Sequence, residues 1–107
     1  MRILFDQGTP APLRHALAAH SVSTTGDMGW SNLQNGDLLA AAELQFHLII
    51  TTDQSLKYQQ HVTGRKLAII VLMTTSWPVI RTHVSDVVAA VDQIQGGEYR
   101  ELAFPRP

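Results

Sequence analysis

Hydrophobic positions in this chain follow two rhythms. Short unbroken apolar runs occupy 3–5, 48–50 and 67–73. Runs of that length without alternation suit strands covered on both faces. Between them apolar residues recur every three or four positions, the period of a helix with one buried face. A first strand is predicted over 2–5, broken by Gly8 and Pro10. Thr9 is placed to cap a helix that starts at Pro10 or Pro12 and reaches Ala19, with Leu13, Ala16 and Leu17 on one face. The β-branched stretch 21–25 predicts a second, more exposed strand. Residues 26–36 hold three glycines and no regular period.

Asn35 is placed to cap a helix over 37–46, with Asp37 in its first turn. A third strand is predicted over 47–52 and a short polar helix over 54–62, ended by Gly64. The fourth strand, 67–73, is apolar at every position and therefore central. From 79 to 94 one amphipathic helix is predicted, since Ile80, Val84, Val87, Val88, Val91 and Ile94 share a face. Gly96-Gly97 stops it, and 99–104 predicts a final edge strand. Strands alternating with helices imply an α/β fold. Its sheet should be mostly parallel, with four to five strands, right-handed crossovers and helices on both sides.

Composition narrows this only a little. At 107 residues, 45% hydrophobic and 16% charged, the chain is expected to form one domain with a single core. No apolar run approaches the roughly 20 residues of a membrane helix. Met1-Arg2 leads straight into a strand, so no signal peptide is expected and a cytoplasmic location fits. The absence of cysteine excludes disulfides, thiolate catalysis and Cys-type zinc sites. A formal net charge of −1 argues against a broad basic surface for nucleic acid, though not against a small basic rim.

The candidate chemistry is acidic. Asp6 and Asp53 each end a predicted strand, and in open α/β sheets ligands bind beyond the carboxyl ends of the strands. Asp37, at a helix start, is placed to join them. Singly, each has a plain structural explanation: Asp6 as a turn residue, Asp53 as a helix cap, Asp37 as a partner of the helix dipole. Together they would crowd charge in one cleft, and crowded carboxylates disfavour one another's ionised forms. A hard cation such as Mg²⁺ or Mn²⁺, bound through oxygen, resolves that conflict. Phosphodiester hydrolysis by a metal-bound water is the reaction that follows most directly.

Thr52 and Ser76, at strand ends, are candidates for positioning phosphate or water, with capping the plainer role. Lys57, Arg65 and Lys66 are candidates for a phosphate-binding rim, with a solvated surface the plainer reading. Glu43 is expected to be solvent-exposed. Trp30 and Trp77 suit either base stacking or a lid on the core. There is no Gly-rich dinucleotide fingerprint, no Gly-Lys-Ser/Thr loop and no His-x₃-His pair. A receiver domain would want a paired acid near the first strand and a late lysine, and neither is in place.

Ile3-Leu4-Phe5-Asp6, Asn35-Gly36-Asp37-Leu38-Leu39 and Thr51-Thr52-Asp53 resemble PIN-like domains, particularly the short single-domain bacterial group. The resemblance runs from Met1 through Ser76-Trp77-Pro78. It implies a three-layer α/β/α sandwich with a Mg²⁺- or Mn²⁺-binding acidic site, and ribonuclease activity leaving a 3′-hydroxyl and a 5′-phosphate. Asp6 matches the acid after the first strand, Asp53 the Thr/Ser-x-Asp acid and Asp37 the helix-borne acid between them. Members often carry a fourth acid where Ser55 stands here. RNA is the implied partner; many members are toxins, which adds an antitoxin protein, and homodimerisation stays open. The alternative is a non-catalytic interaction module acting through a protein partner, which Ser55 and the near-neutral charge favour.

Overall fold

The computed structural model describes residues 1–56 and 64–105. Five strands form one parallel sheet: β1 (Arg2–Phe5), β2 (Ser21–Thr24), β3 (Leu48–Thr51), β4 (Ala68–Leu72) and β5 (Tyr99–Leu102). Their spatial order is β2-β1-β3-β4-β5, and every neighbouring pair is parallel. The chain is thus α/β, as the alternation of runs predicts.

Strand periodicity sorts the core into two clusters. Ile3, Phe5, Leu48, Ile50, Ala68, Ile70 and Leu72 pack with Leu13 and Leu17, and with Ile80, Val87, Ala90 and Val91. The intervening residues Leu4, Ile49, Ile69 and Val71 pack instead with Leu38, Leu39, Ala42 and Phe46. Because successive strand residues point to opposite sides, an unbroken apolar run serves both clusters at once. All five residues of β4 are buried, as suits an interior strand between β3 and β5.

The helices depart from expectation in three places. Residues Ala11–Leu17 form a 3₁₀ helix, where an α-helix from Pro10 or Pro12 to Ala19 was the expectation. Pro12 has no N–H to donate, and Leu13 N–H closes a three-residue turn on the Pro10 carbonyl at 3.1 Å. Helix α1 spans Asn35–Gln45 with Gln34 at its N-cap, so Asn35 lies inside the helix and does not cap it. The helix expected over 79–94 is two helices, α2 (Trp77–Arg81) and α3 (Val84–Gln93). At the break, the Thr82 hydroxyl donates to the Val79 carbonyl at 2.8 Å. His83 leaves helical geometry with φ −127 and ψ 27. Side-chain bonds to the preceding turn compete with the helical ladder, and the apolar period runs through the break without marking it. Most of the helix expected over 54–62 lies outside the described residues. Among the described residues no helix is long and apolar enough to cross a membrane.

Glu43 corrects a further expectation, because it is half-buried and bonded. Its Oε2 pairs with Arg65 Nη1 at 2.9 Å, and its Oε1 accepts the Lys66 N–H at 2.8 Å. These contacts fasten α1 to the segment leading into β4. The Lys66 amide foremost, and Arg65 beside it, hold the Glu43 carboxyl below its ordinary 4.5. A carboxyl lowered by folding stabilises the fold above its unfolded value and ceases to do so as pH falls through the folded one. Glu43→Gln is therefore expected to lower stability at neutral pH, with the gap to the parent narrowing as pH falls below 4.5. Urea titrations from about pH 7 down to about pH 3 will show it; a gap independent of pH over that range would contradict this role for Glu43.

Candidate functional site

The order β2-β1-β3-β4-β5 has its topological switch point between β1 and β3. In sheets of this order the crevice beyond the carboxyl ends of those two strands is the usual ligand site. Asp6 follows β1 directly, and its N–H bonds the Ile50 carbonyl at 3.0 Å, extending the β1–β3 ladder one residue. Asp53 follows β3 by two residues. Asp6 is in phase with Leu4 along its strand, as Asp53 and Thr51 are with Ile49, and Leu4 and Ile49 belong to the cluster under α1. Phase and register thus direct both aspartates to the α1 side of the same two strands.

They line one small cavity, about 20 Å³, together with Leu38, Leu39, Ile49, Thr51 and Leu56. That is space for a single water-sized occupant. Thr51, only 1% exposed, connects the two acids. Its hydroxyl donates to Asp6 Oδ2 at 2.9 Å and accepts the Asp53 N–H at 3.1 Å. Asp6 Oδ1 accepts the Gln7 N–H at 2.8 Å. Asp53 Oδ1 takes both the Ser55 N–H at 3.0 Å and the Ser55 hydroxyl at 2.7 Å. Among the described residues, Asp53 Oδ2 accepts no hydrogen bond and neither aspartate forms an ion pair.

The turn after β1 closes over the end of β3. Thr9 donates its hydroxyl to the Ile50 carbonyl at 2.9 Å. Gly8 has φ +88, and a Cβ there would lie 2.7 Å from Thr52 Oγ1. Only glycine fits that approach. Thr52, a candidate for phosphate positioning, thus directs its hydroxyl at this turn.

The other predicted residues lie elsewhere. Asp37 is exposed in the first turn of α1 and does not line the cavity. Among the described residues no three acidic or histidine side chains are grouped as a metal site. Ser76 occupies the N-cap of α2, beyond β4, without a side-chain capping bond. Arg65 precedes β4, at the opposite ends of the strands, where it pairs with Glu43. Lys57 falls outside the described residues. Trp30 stacks edge-on against Phe46 at 6.0 Å between centroids, and Trp77 packs against the other cluster, so both tryptophans serve the core. A larger hollow of about 420 Å³ lies at the amino ends of the strands, among Phe46, His47, Leu67 and Ile94, and takes in none of the three aspartates.

Thr51 is the site residue that a reading of the sequence passes over in favour of Thr52. Strand phase distinguishes them, since Thr51 alternates with Ile49 and Thr52 does not. Removing the Thr51 hydroxyl leaves the part-buried Asp53 N–H without its acceptor and Asp6 Oδ2 without its donor. Thr51→Val is expected to cost about 1–3 kcal/mol in urea unfolding, with Thr51→Ser recovering most of it. A Thr51→Val protein as stable as the parent would mean the bridge does not hold the site. No family model, curated protein or solved structure matches this chain.

Proposed function

We propose that this chain is a metal-dependent ribonuclease of PIN-like type, with the three-layer α/β/α arrangement of that family. In this reading it is cytoplasmic and acts as the toxin-like member of a toxin–antitoxin pair. The observation that carries the proposal is the shared cavity of Asp6 and Asp53 at the β1–β3 switch point, bridged by Thr51.

The donor set suits a small hard cation. Mg²⁺ is commonly held by one or two carboxylates, with waters and substrate phosphates completing its shell. Asp6 and Asp53 supply two carboxylates, Asp53 Oδ2 is unengaged among the described residues, and the cavity is about 20 Å³. When bound, Mg²⁺ or Mn²⁺ supplies Lewis acidity toward a phosphate oxygen and makes water more acidic. The chain's own part is placement. Thr51 holds one oxygen of Asp6, and Ser55 holds one of Asp53, so the carboxylates stay oriented before substrate arrives. Leu38, Leu39 and Leu56 wall the cavity and limit water on its inner side. Hydrolysis adds a water oxygen to phosphorus and breaks the P–O3′ bond, leaving a 3′-hydroxyl and a 5′-phosphate.

The second reading is an interaction module that keeps the fold without cleaving RNA. The exposure of Asp37 and the occupation of Asp53 Oδ1 by Ser55 favour it. Incubation of the purified protein with single-stranded RNA and either Mn²⁺ or Mg²⁺ separates the two. The ribonuclease reading expects cleavage that Asp6→Asn lowers by more than the roughly 10–100-fold typical of losing an outer-shell partner. Asp37→Asn is expected to act more mildly than Asp6→Asn. Cleavage by the Asp6→Asn protein at the parent rate would defeat the proposal, and no cleavage with either metal would favour the interaction module.

A further inference from the structure

Arg14 has no part in that mechanism, yet its guanidinium reaches the same edge of the sheet. Its Nη2 stands 3.4 Å from Asp27 Oδ2, with the two side chains 41% and 57% exposed. Its Nε is buried and lacks a hydrogen-bond partner among the described residues. One long bond to an exposed acceptor and one unsatisfied buried donor make a weakly held pose.

Asp27, by contrast, does not depend on Arg14. Thr24 N–H donates to Asp27 Oδ2 at 3.0 Å, and Thr24 Oγ1 accepts the Asp27 N–H at 3.0 Å. Those Thr24 bonds come first in holding the Asp27 carboxyl below its ordinary value, with Arg14 adding less. The guanidinium can therefore leave while Asp27 keeps its place.

The position follows from the ladder. Thr24 pairs with Phe5 in register, and the next amide, Thr25 N–H, bonds the Phe5 carbonyl at 3.0 Å. That carbonyl belongs to the peptide leading into Asp6. By sheet order the Arg14–Asp27 pair thus lies on the β2 side of Asp6 and Asp53 on the β3 side, with Arg14 carried by the helix whose Leu13 and Leu17 pack on the face opposite α1.

We propose that Arg14 exchanges Asp27 for a backbone phosphate of the substrate, so that a single strand of RNA crosses the strand ends from β3 over β1 to β2. This rests on the ribonuclease reading. A guanidinium presents paired donors matched to phosphate oxygens and stays charged at any working pH. Asp27 is then the acceptor that orders Arg14 before substrate binds.

Binding of a labelled single-stranded RNA oligonucleotide, followed by fluorescence anisotropy with metal chelated so that nothing is cut, tests this. Arg14→Gln is expected to weaken binding about tenfold. It should also lower the slope of log affinity against log salt by about 0.7, the share of one phosphate contact on a single strand. Arg14→Lys should keep the slope and recover part of the affinity. Asp27→Asn should bind at least as tightly as the parent, because the competing acceptor has lost its charge. If the pair were merely structural, Asp27→Asn and Arg14→Gln would weaken binding alike, which would overturn the assignment. Unchanged affinity and slope in Arg14→Gln would overturn it too, while leaving the ribonuclease reading standing if the parent binds and cuts RNA. A parent protein that neither binds nor cuts RNA would end both.

Discussion

The buried hydroxyl of Thr51 is the interaction on which the organisation of the acidic edge depends. It donates to one carboxylate and accepts the backbone N–H of the residue that bears the other. A threonine at that point can do both because a hydroxyl carries a donor and acceptor lone pairs on one atom. A valine of the same shape would do neither, and a longer polar side chain would fill the cavity it lines. The bridge also relies on parallel register. Asp6 N–H extends the β1–β3 ladder only because Phe5 pairs with Ile50. Slipping β3 by one residue would turn Thr51 and Asp53 toward the opposite face and separate them from Asp6.

The two ends of the sheet differ in kind. At the carboxyl ends, polar side chains are spent on orienting Asp6 and Asp53, and the cavity between them stays small. At the amino ends, Glu43 takes Arg65 and the Lys66 amide, fixing α1 against the approach to β4. Helix α1 therefore has a tied carboxyl half and an amino-terminal half whose leucines, Leu38 and Leu39, wall the acidic cavity. A helix clamped at one end and packed at the other holds that wall at a fixed distance from the strand ends. In this way the far contact at Glu43 contributes to the shape of the site without touching it.

Much of this architecture was legible in the sequence because it rests on period. The apolar runs of β1, β3 and β4 announced strands buried on both sides, and their alternation with helical stretches gave the parallel sheet. What escaped depends on single side-chain bonds that leave the period intact. The break at Thr82 and His83 is invisible to hydrophobic spacing, since Ile80, Val84 and Val87 keep their rhythm across it. The 3₁₀ geometry after Pro10 arises from a missing N–H at Pro12, where the apolar spacing reads equally well as an α-helix. Glu43 looked like a surface acid because its partners, Arg65 and Lys66, are remote in sequence. Thr51 was within reach of a stricter reading, for its phase with Ile49 places it on the same side as Asp6. Arg65 and Lys66 are candidates for a rim on charge alone, and charge says nothing about which end of a strand a residue precedes.

Asp37 shows how far helix phase constrains the chemistry. Leu38, Leu39, Ala42 and Phe46 define the buried side of α1. Asp37, one residue before Leu38, is carried around the helix to an exposed position. A closed set of three carboxylates would have required turning α1 and exposing the leucines that seat it. The apolar contacts win, since burying a leucine side chain is worth about 1.5–3 kcal/mol and a carboxylate in solvent loses nothing by staying there. Two inward carboxylates are what the packing permits. Under the ribonuclease reading that incompleteness has a use. Asp6 and Asp53 would be the residues that hold the cation, and a substrate phosphate oxygen would be a ligand of the right hardness to share it. The same packing that keeps Asp37 outside would then make substrate part of the metal's own shell, and tie metal affinity to the presence of RNA.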